Sequence, residues 1–391
     1  MTILCDLTEF LMRPKRTGIQ RVSFEIVSRW QGSVPLTPVC LSGADQFVRL
    51  PGECFELMQA FFQADDEEQL RRAQTQIQNL VRHPRATRLK NLKSYQALFT
   101  PEVFFCRDRI AAYGQLAEGG GIEVFLVVYD FLPWIEPGFF QQEMPLGTYP
   151  YFRLLRSIPN LAYISEWSRQ VAQERVFRDR RPAGVTIPLG ADGLGSAPPV
   201  FDADLREFTV VGTIEPRKGH LKILDAFENL WRAGHAIPLT FVGRPGWLSD
   251  RQLRRIERLK HQQPLFTWLD NLTDPQVAEV VKKSRATIYV SEHEGFGLPP
   301  VESLSLGTPA IVASKIPSVE MIPPLGQTRL DDPTPAAIQA AVLELMDDAR
   351  ARRVTEEIAG LDLLTWDASS KRYSDWIEER LQAKGRRSDA A

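Results

Sequence analysis

Two short stretches in the second half of the chain concentrate residue types that handle phosphate and hydroxyl groups. The first is Val211-Gly212-Thr213-Ile214-Glu215-Pro216-Arg217-Lys218-Gly219-His220, with Arg217 and Lys218 where a helix is expected to begin. Two cations at a helix N-terminus oppose the dipole, so their placement implies an anion in front of them, as in a phosphate clamp. The second is Ser291-Glu292-His293-Glu294-Gly295-Phe296-Gly297-Leu298-Pro299-Pro300-Val301-Glu302. Its glycine loop would present backbone N–H groups and the positive end of the next helix to a diphosphate. Glu294 and Glu302 would repel a diphosphate that they faced. A carboxylate can accept from two adjacent hydroxyls, which suits Glu294 to a transferred sugar and Glu302 to a ribose. Taken singly, Glu294 also fits a surface loop, Glu302 a partner of the helix dipole, and Arg217-Lys218 a solvated pair.

Elements able to position these residues recur along the chain. Ile3 to Leu7, Val124 to Tyr129, Leu161 to Ile164 and Val185 to Pro188 read as strands in the first half. Phe208 to Val211, Leu239 to Val242, Ala286 to Val290 and Ala310 to Val312 restart the pattern, and helical periodicity separates the runs, as in parallel sheets covered by helices. Ala191 to Pro199 is rich in Gly and Pro and reads as a linker, so domains of 1–200 and 201–365 are expected. Ile223, Phe227 and Leu230 share a helix face closed by Gly234, and Gly307 is expected to cap a two-turn helix after the second loop. The tail, 366–391, places Tyr373, Trp376, Ile377 and Leu381 on a helical stripe, with Gly385 to Ala391 expected to be disordered.

The 391 residues are 43% hydrophobic and 25% charged, with a formal net charge of -2, which supplies two cores and no general attraction to nucleic acid. No apolar run reaches a bilayer span and Met1 to Asp6 does not resemble a leader, so a cytoplasmic chain is expected. Cys5, Cys40, Cys54 and Cys106 lack metal-ligand spacing and read as buried reduced thiols. Asp202-Ala203-Asp204 has the D-x-D form of a manganese site but precedes a strand, so no metal is expected from it. His293 beside Glu294 reads as a structural or surface histidine. From Arg71 to Lys93 the chain carries Arg71, Arg72, Arg82, Arg85, Arg88, Lys90 and Lys93 without Asp or Glu. That segment is either a peripheral contact with anionic membrane or an exposed basic helix.

The two stretches together resemble the retaining glycosyltransferases of the GT-B fold, in the family 4 group of bacterial mannosyl-, glucosyl- and rhamnosyltransferases. Glu294 and Glu302 meet its E-x7-E spacing around Gly295-Phe296-Gly297-Leu298-Pro299, and Val211-Gly212 through Lys218-Gly219 matches its phosphate-binding loop. Arg16-Thr17-Gly18-Ile19-Gln20-Arg21, Tyr129 to Pro133, Ile164 to Ser168 and Pro188 to Asp192 are similar pieces in the same order, so the resemblance spans nearly the whole chain. It implies an α/β protein of two Rossmann-like domains facing each other across a cleft, with the terminal helix crossing back to the first domain. Two departures stand out: Thr213 occupies the family's arginine position, and Tyr129 rather than His precedes Asp130.

The resemblance implies transfer of a hexose from a nucleoside-diphosphate sugar, GDP-mannose as the first guess, to a saccharide or lipid-linked acceptor in surface polysaccharide synthesis. It makes Glu294, Lys218 and Arg217 the catalytic residues. Glu302, Gly18, Gly212, Thr213, Gly243, Arg244, Gly295, Phe296, Gly297 and Leu298 would bind the donor, and Asp130 is the acceptor-side candidate. No cofactor or metal is implied. A sugar-nucleotide epimerase or hydrolase, or a noncatalytic sugar-nucleotide-binding protein, would share the nucleotide grip.

Overall fold

The computed structural model describes residues 2–43, 46–83, 85–141, 143–178 and 184–388, with backbone alone for 385–388. By their mutual contacts they fall into two units, Met1–Pro137 with Gln142–Gly190 and Thr365–Ala391, and Gly138–Gln141 with Ala191–Leu364. The division falls after Gly190 rather than at residue 200, because Ala191–Pro199 packs with residues later in the chain. The Ala191 amide donates to the Leu364 carbonyl, the Ala197 amide to that of Ser305, and the Ser305 hydroxyl to that of Gly195.

The first unit is built on β1 Ile3–Asp6, β2 Leu36–Ser42, β3 Gln46–Arg49, β4 Thr87–Arg88, β5 Ala97–Thr100, β6 Glu123–Val128, β7 Asn160–Tyr163 and β8 Gly184–Thr186. These form one sheet in the order β4-β3-β2-β1-β5-β6-β7-β8, parallel except where β3 pairs with β2 and β4. β1, β5 and β7 are buried at every position and are mostly apolar, as expected of a parallel sheet covered on both faces. The basic segment 71–93 is not one helix. It spans the end of helix Glu67–Asn79, a 3-10 turn at Leu80–Arg82 and the edge strand β4, with Arg71 paired to Glu67 and Arg85 to Glu53. Cys5, Cys40 and Cys54 are buried, whereas Cys106 is exposed because it stands just ahead of helix Arg107–Gly119.

The terminal helix, Trp366–Ser388, packs within this unit. Trp366, Tyr373, Trp376 and Ile377 are buried, the Trp376 ring meets Phe125 edge-on at 5.0 Å, and the Ser370 hydroxyl donates to the Ile26 carbonyl at 2.7 Å. The helix continues through Ser388, past the point where disorder was expected, and residues 389–391 lie outside the described residues.

The second unit holds β9 Phe208–Val211, β10 Leu239–Val242, β11 Phe266–Leu269, β12 Ala286–Tyr289, β13 Ala310–Ala313 and β14 Gln327–Leu330. All pair in parallel, in the order β11-β10-β9-β12-β13-β14. Helix His220–Arg232 buries Ile223, Leu224, Phe227 and Leu230 against this sheet. The strand order reverses between β9 and β12, and loops leaving the carboxyl ends of two such strands diverge to opposite faces, opening a crevice there. The two chemically loaded stretches are those two loops.

Candidate functional site

After β9, Pro216–Lys218 forms a single 3-10 turn and Gly219 leads into helix His220–Arg232. After β12, Val290–Gly297 leads into helix Leu298–Ser305. The loops are tied by backbone, since the Glu292 amide donates to the Arg217 carbonyl at 2.8 Å. This bond brings Arg217 and Lys218 to Glu294. Arg217 Nη1 is 2.7 Å and Lys218 Nζ 3.5 Å from Glu294 Oε1, while Arg217 Nη2 is 3.0 Å from Glu215 Oε1. The basic pair thus faces the chain's own carboxylates, Glu215 and Glu294.

Tyr289, the last residue of β12, completes the cluster: its hydroxyl donates to Glu294 Oε1 at 2.7 Å and accepts from Lys218 Nζ at 3.1 Å. Glu294 is 9% exposed. Burial alone would raise its pKa, but Lys218, Arg217 and the Tyr289 hydroxyl outweigh burial and hold it at about 2. Glu215 is also buried, and there burial prevails over Arg217 and Lys218, moving its pKa upward. Burial together with Lys218 depresses His220 to about 3, so it is neutral. Glu294 at neutral pH is an anion and an acceptor, not a proton donor.

Gly212 and Gly243 belong to the same region. The loop after β10 lies so close that a Cβ on Gly243 would fall 2.1 Å from the Gly212 carbonyl oxygen, and Gly243 has φ +153°. No L side chain fits there without moving backbone. Gly212 has φ +144°, a conformation L side chains rarely adopt, and a Cβ there would be in ordinary contact with Lys218 Nζ at 3.4 Å. Thr213 and Arg244 are exposed at the rim, where the Ile214 amide donates to the Arg244 carbonyl at 2.9 Å.

Gly297 has φ +87°, with Ile316 Cγ2 2.5 Å from where its Cβ would be. Pro299 and Pro300 remove two N–H groups from the first turn of helix Leu298–Ser305, so the backbone donors at this helix start come from the residues ahead of them. Ser318 takes the Phe296 and Gly297 carbonyls through its amide and hydroxyl, fixing the peptide orientation. Glu302 lies on that helix, 2% exposed. The His293 carbonyl accepts from Arg217 Nη1 at 2.7 Å, and its ring lies 5.9 Å from Phe139. Asp202 accepts the amide of Asp204 within its own turn.

Gly18 and Asp130 belong to the first unit. Gly18 is the first residue of helix Gly18–Ser28, capped by the Thr17 side chain, and apart from its chain neighbours and its own helix backbone nothing lies within 4 Å of where a Cβ would stand. Asp130 follows β6 and accepts the Leu132 amide at 2.9 Å. Sequence reasoning did not single out Tyr289 or Glu215; the signal available was a hydroxyl-bearing aromatic closing a core strand and a third carboxylate two residues before Arg217.

Residues 196–360 match the family described as glycosyl transferases group 1. The serotype-specific mannosyltransferase WbdA of Escherichia coli is 29% identical over 94% of this chain and 44% of its own length. The O-antigen chain mannosyltransferase B of Escherichia coli is 29% identical over 37% of this chain and 38% of its own. The chain therefore spans less than half the length of these curated relatives. Among solved structures, sucrose-phosphate synthase from Thermosynechococcus elongatus superposes with a TM-score of 0.64 at 16% identity, covering 98% of this chain and 100% of that one. Anabaena HepE in complex with UDP and glucose gives 0.59 at 13% identity, covering 98% and 99%. Residues 196–360 thus match the group 1 glycosyl transferases, within a chain whose two parallel-sheet units have the GT-B fold.

Proposed function

We propose that the chain transfers a hexose, mannose first among them, from a nucleoside-diphosphate sugar to a saccharide or lipid-linked saccharide during surface polysaccharide synthesis. The mannosyltransferase names of its relatives support the sugar, and GDP-mannose is the donor to test first. The observation that carries the reading is the convergence of Arg217 and Lys218 on Glu294 at the strand-order reversal of the group 1 domain. A diphosphate against these loops would meet Lys218 and the Gly295 to Leu298 amides. Its growing negative charge, as the bond from the sugar C1 to phosphate oxygen breaks, would be stabilised there. Arg217, committed to Glu215 and Glu294, would act by keeping Glu294 ionised and in place.

Transfer with retention is the mechanism we propose. The acceptor oxygen bonds to C1 on the face the diphosphate leaves, and its proton passes to a phosphate oxygen. Glu294 then orients the sugar, Glu302 holds the ribose, and Thr213, Arg244 and Gly18 border the donor. Asp130 is the proposed acceptor contact. The positive charge supplied by Lys218 supports turnover without a metal.

Among the described residues no helix is long and apolar enough to cross a membrane. We place the chain in the cytoplasm, with 71–93 as its contact with anionic lipid, because all seven of that segment's cations are exposed. A thermal-shift panel of nucleoside diphosphates tests the donor site, since a ligand at 100 times its Kd stabilises by about 2.7 kcal/mol. Transfer to a saccharide acceptor in excess EDTA tests the reaction. No shift with any nucleoside diphosphate, or no transfer once EDTA is added, refutes the corresponding part.

A further inference from the structure

Between Lys218 and Glu294 the direction of hydrogen bonding admits one solution. The Lys218 ammonium can only donate and the ionised Glu294 can only accept, so the single hydroxyl hydrogen of Tyr289 must point to Glu294 Oε1. Tyr289 is 4% exposed, its ring lies 5.2 Å from Lys218 Nζ, and the Cβ position of Gly297 is 3.6 Å from its Cε1. It is therefore packed against the basic loop and the glycine loop at once. Burial first, and Glu294 next, keep its phenol neutral and its hydrogen in place at any working pH.

Resting on the proposed function, we infer that Tyr289 is a positioning residue that holds Glu294 while Lys218 turns to the donor phosphates. Glu294 Oε1 is reached by Arg217, Lys218 and Tyr289. An arriving diphosphate competes for Lys218, and a carboxylate that lost a partner at that moment would move just when the sugar needs orienting. Tyr289 carries no charge for the anion to compete for, so its bond to Glu294 persists. A displacement of about 1 Å at such a residue is enough to cost on the order of 100-fold in rate.

The test is Tyr289→Phe, which keeps the ring and removes one oxygen. Nucleoside-diphosphate affinity is expected to stay within about twofold of the parent while kcat for transfer falls at least tenfold, a split that loss of packing would not produce. In the free protein, carbon-13 NMR titration of the glutamate carboxyls is expected to place Glu294 higher in the variant than in the parent. An unchanged Glu294 midpoint, an unchanged kcat, or a loss of diphosphate affinity equal to the loss in kcat overturns the inference. If the parent protein binds no nucleoside diphosphate, the functional reading fails by itself, and the titration alone decides whether Tyr289 holds Glu294.

Discussion

Replacing Glu294 by Gln removes the charge on which the cluster converges and keeps its shape, so it isolates one electrostatic quantity. In the folded chain Glu294 is held at about 2, against an ordinary value of 4.5. At about 1.4 kcal/mol for each pH unit of displacement, the ionised form contributes up to about 3 kcal/mol at neutral pH. The sign follows from linkage: a depressed carboxylate adds stability above its unfolded value and loses it as pH falls toward the folded one. The window is therefore pH 4.5 down to 2, and at pH 3 about 1.4 kcal/mol should remain. Other carboxylates titrate in the same range equally in parent and Glu294→Gln, except Glu215, which the Glu294 charge helps to raise and which shares Arg217 with it. The assay is urea unfolding followed by circular dichroism at pH 7 and pH 3, read at the transition that the substitution moves. The parent should exceed the variant at pH 7, and the gap should at least halve at pH 3. A gap of equal size at both pH values would refute the electrostatic account of the cluster.

Lys218→Ala and Glu302→Ala are each expected to lower kcat/KM at least tenfold, about 1.4 kcal/mol of transition-state stabilisation, with unchanged circular dichroism. Near-normal transfer by both would contradict the donor assignment. Gly243→Ala forces a methyl group to 2.1 Å from the Gly212 carbonyl oxygen and should destabilise by roughly 2–4 kcal/mol in urea titration. Arg109→Met leaves Asp6 and Glu102 buried without their cation and should cost about 3–5 kcal/mol in thermal unfolding, while any nucleoside-diphosphate-induced shift persists.

Several covered strands were readable as apolar runs, and β6, β7, β9, β10, β12 and β13 stand within a residue or two of where the sequence puts them, whereas the equally buried β5 was not singled out. β2 is hidden by Pro38 in its middle, although that residue sits in register with Cys5 and passes its carbonyl to the Leu50 amide. β14, Gln327–Leu330, is polar because it lies at the edge of its sheet, where apolar periodicity fades. The basic segment shows the converse limit: charge can be counted along a sequence, but only the chain path separates helix Glu67–Asn79 from edge strand β4. For the site, type and spacing singled out the basic pair and the two carboxylates as candidates. That Arg217 would point to Glu215 and Glu294, and that Tyr289 would join them, depends on the bond between Glu292 and Arg217 that no local pattern encodes.

A strand-order reversal exists in the first unit too, between β1 and β5, and its fate shows what a usable crevice requires. There Asp6, at 0% exposure, takes Arg109 Nε at 3.0 Å and the Tyr113 hydroxyl at 2.7 Å, while Glu102 binds the same guanidinium at 3.0 Å. Glu102 also accepts the amides of Glu9 and Phe10, which spends the positive end of the helix after β1 on an internal carboxylate. Burial outweighs Arg109 in setting Glu102, whose pKa is lifted to about 7. That reversal is plugged by side chains fully removed from water. The one between β9 and β12 is lined instead by glycine loops, and the side chains of Arg217, Lys218 and Glu294 keep 12%, 14% and 9% exposure. A buried triad fixes geometry but cannot exchange partners without a large desolvation cost, whereas a cluster at the water's edge can trade a carboxylate for a phosphate. The same topology thus yields a structural plug in one unit and, in the other, the partly exposed charged cluster that we propose takes an anion.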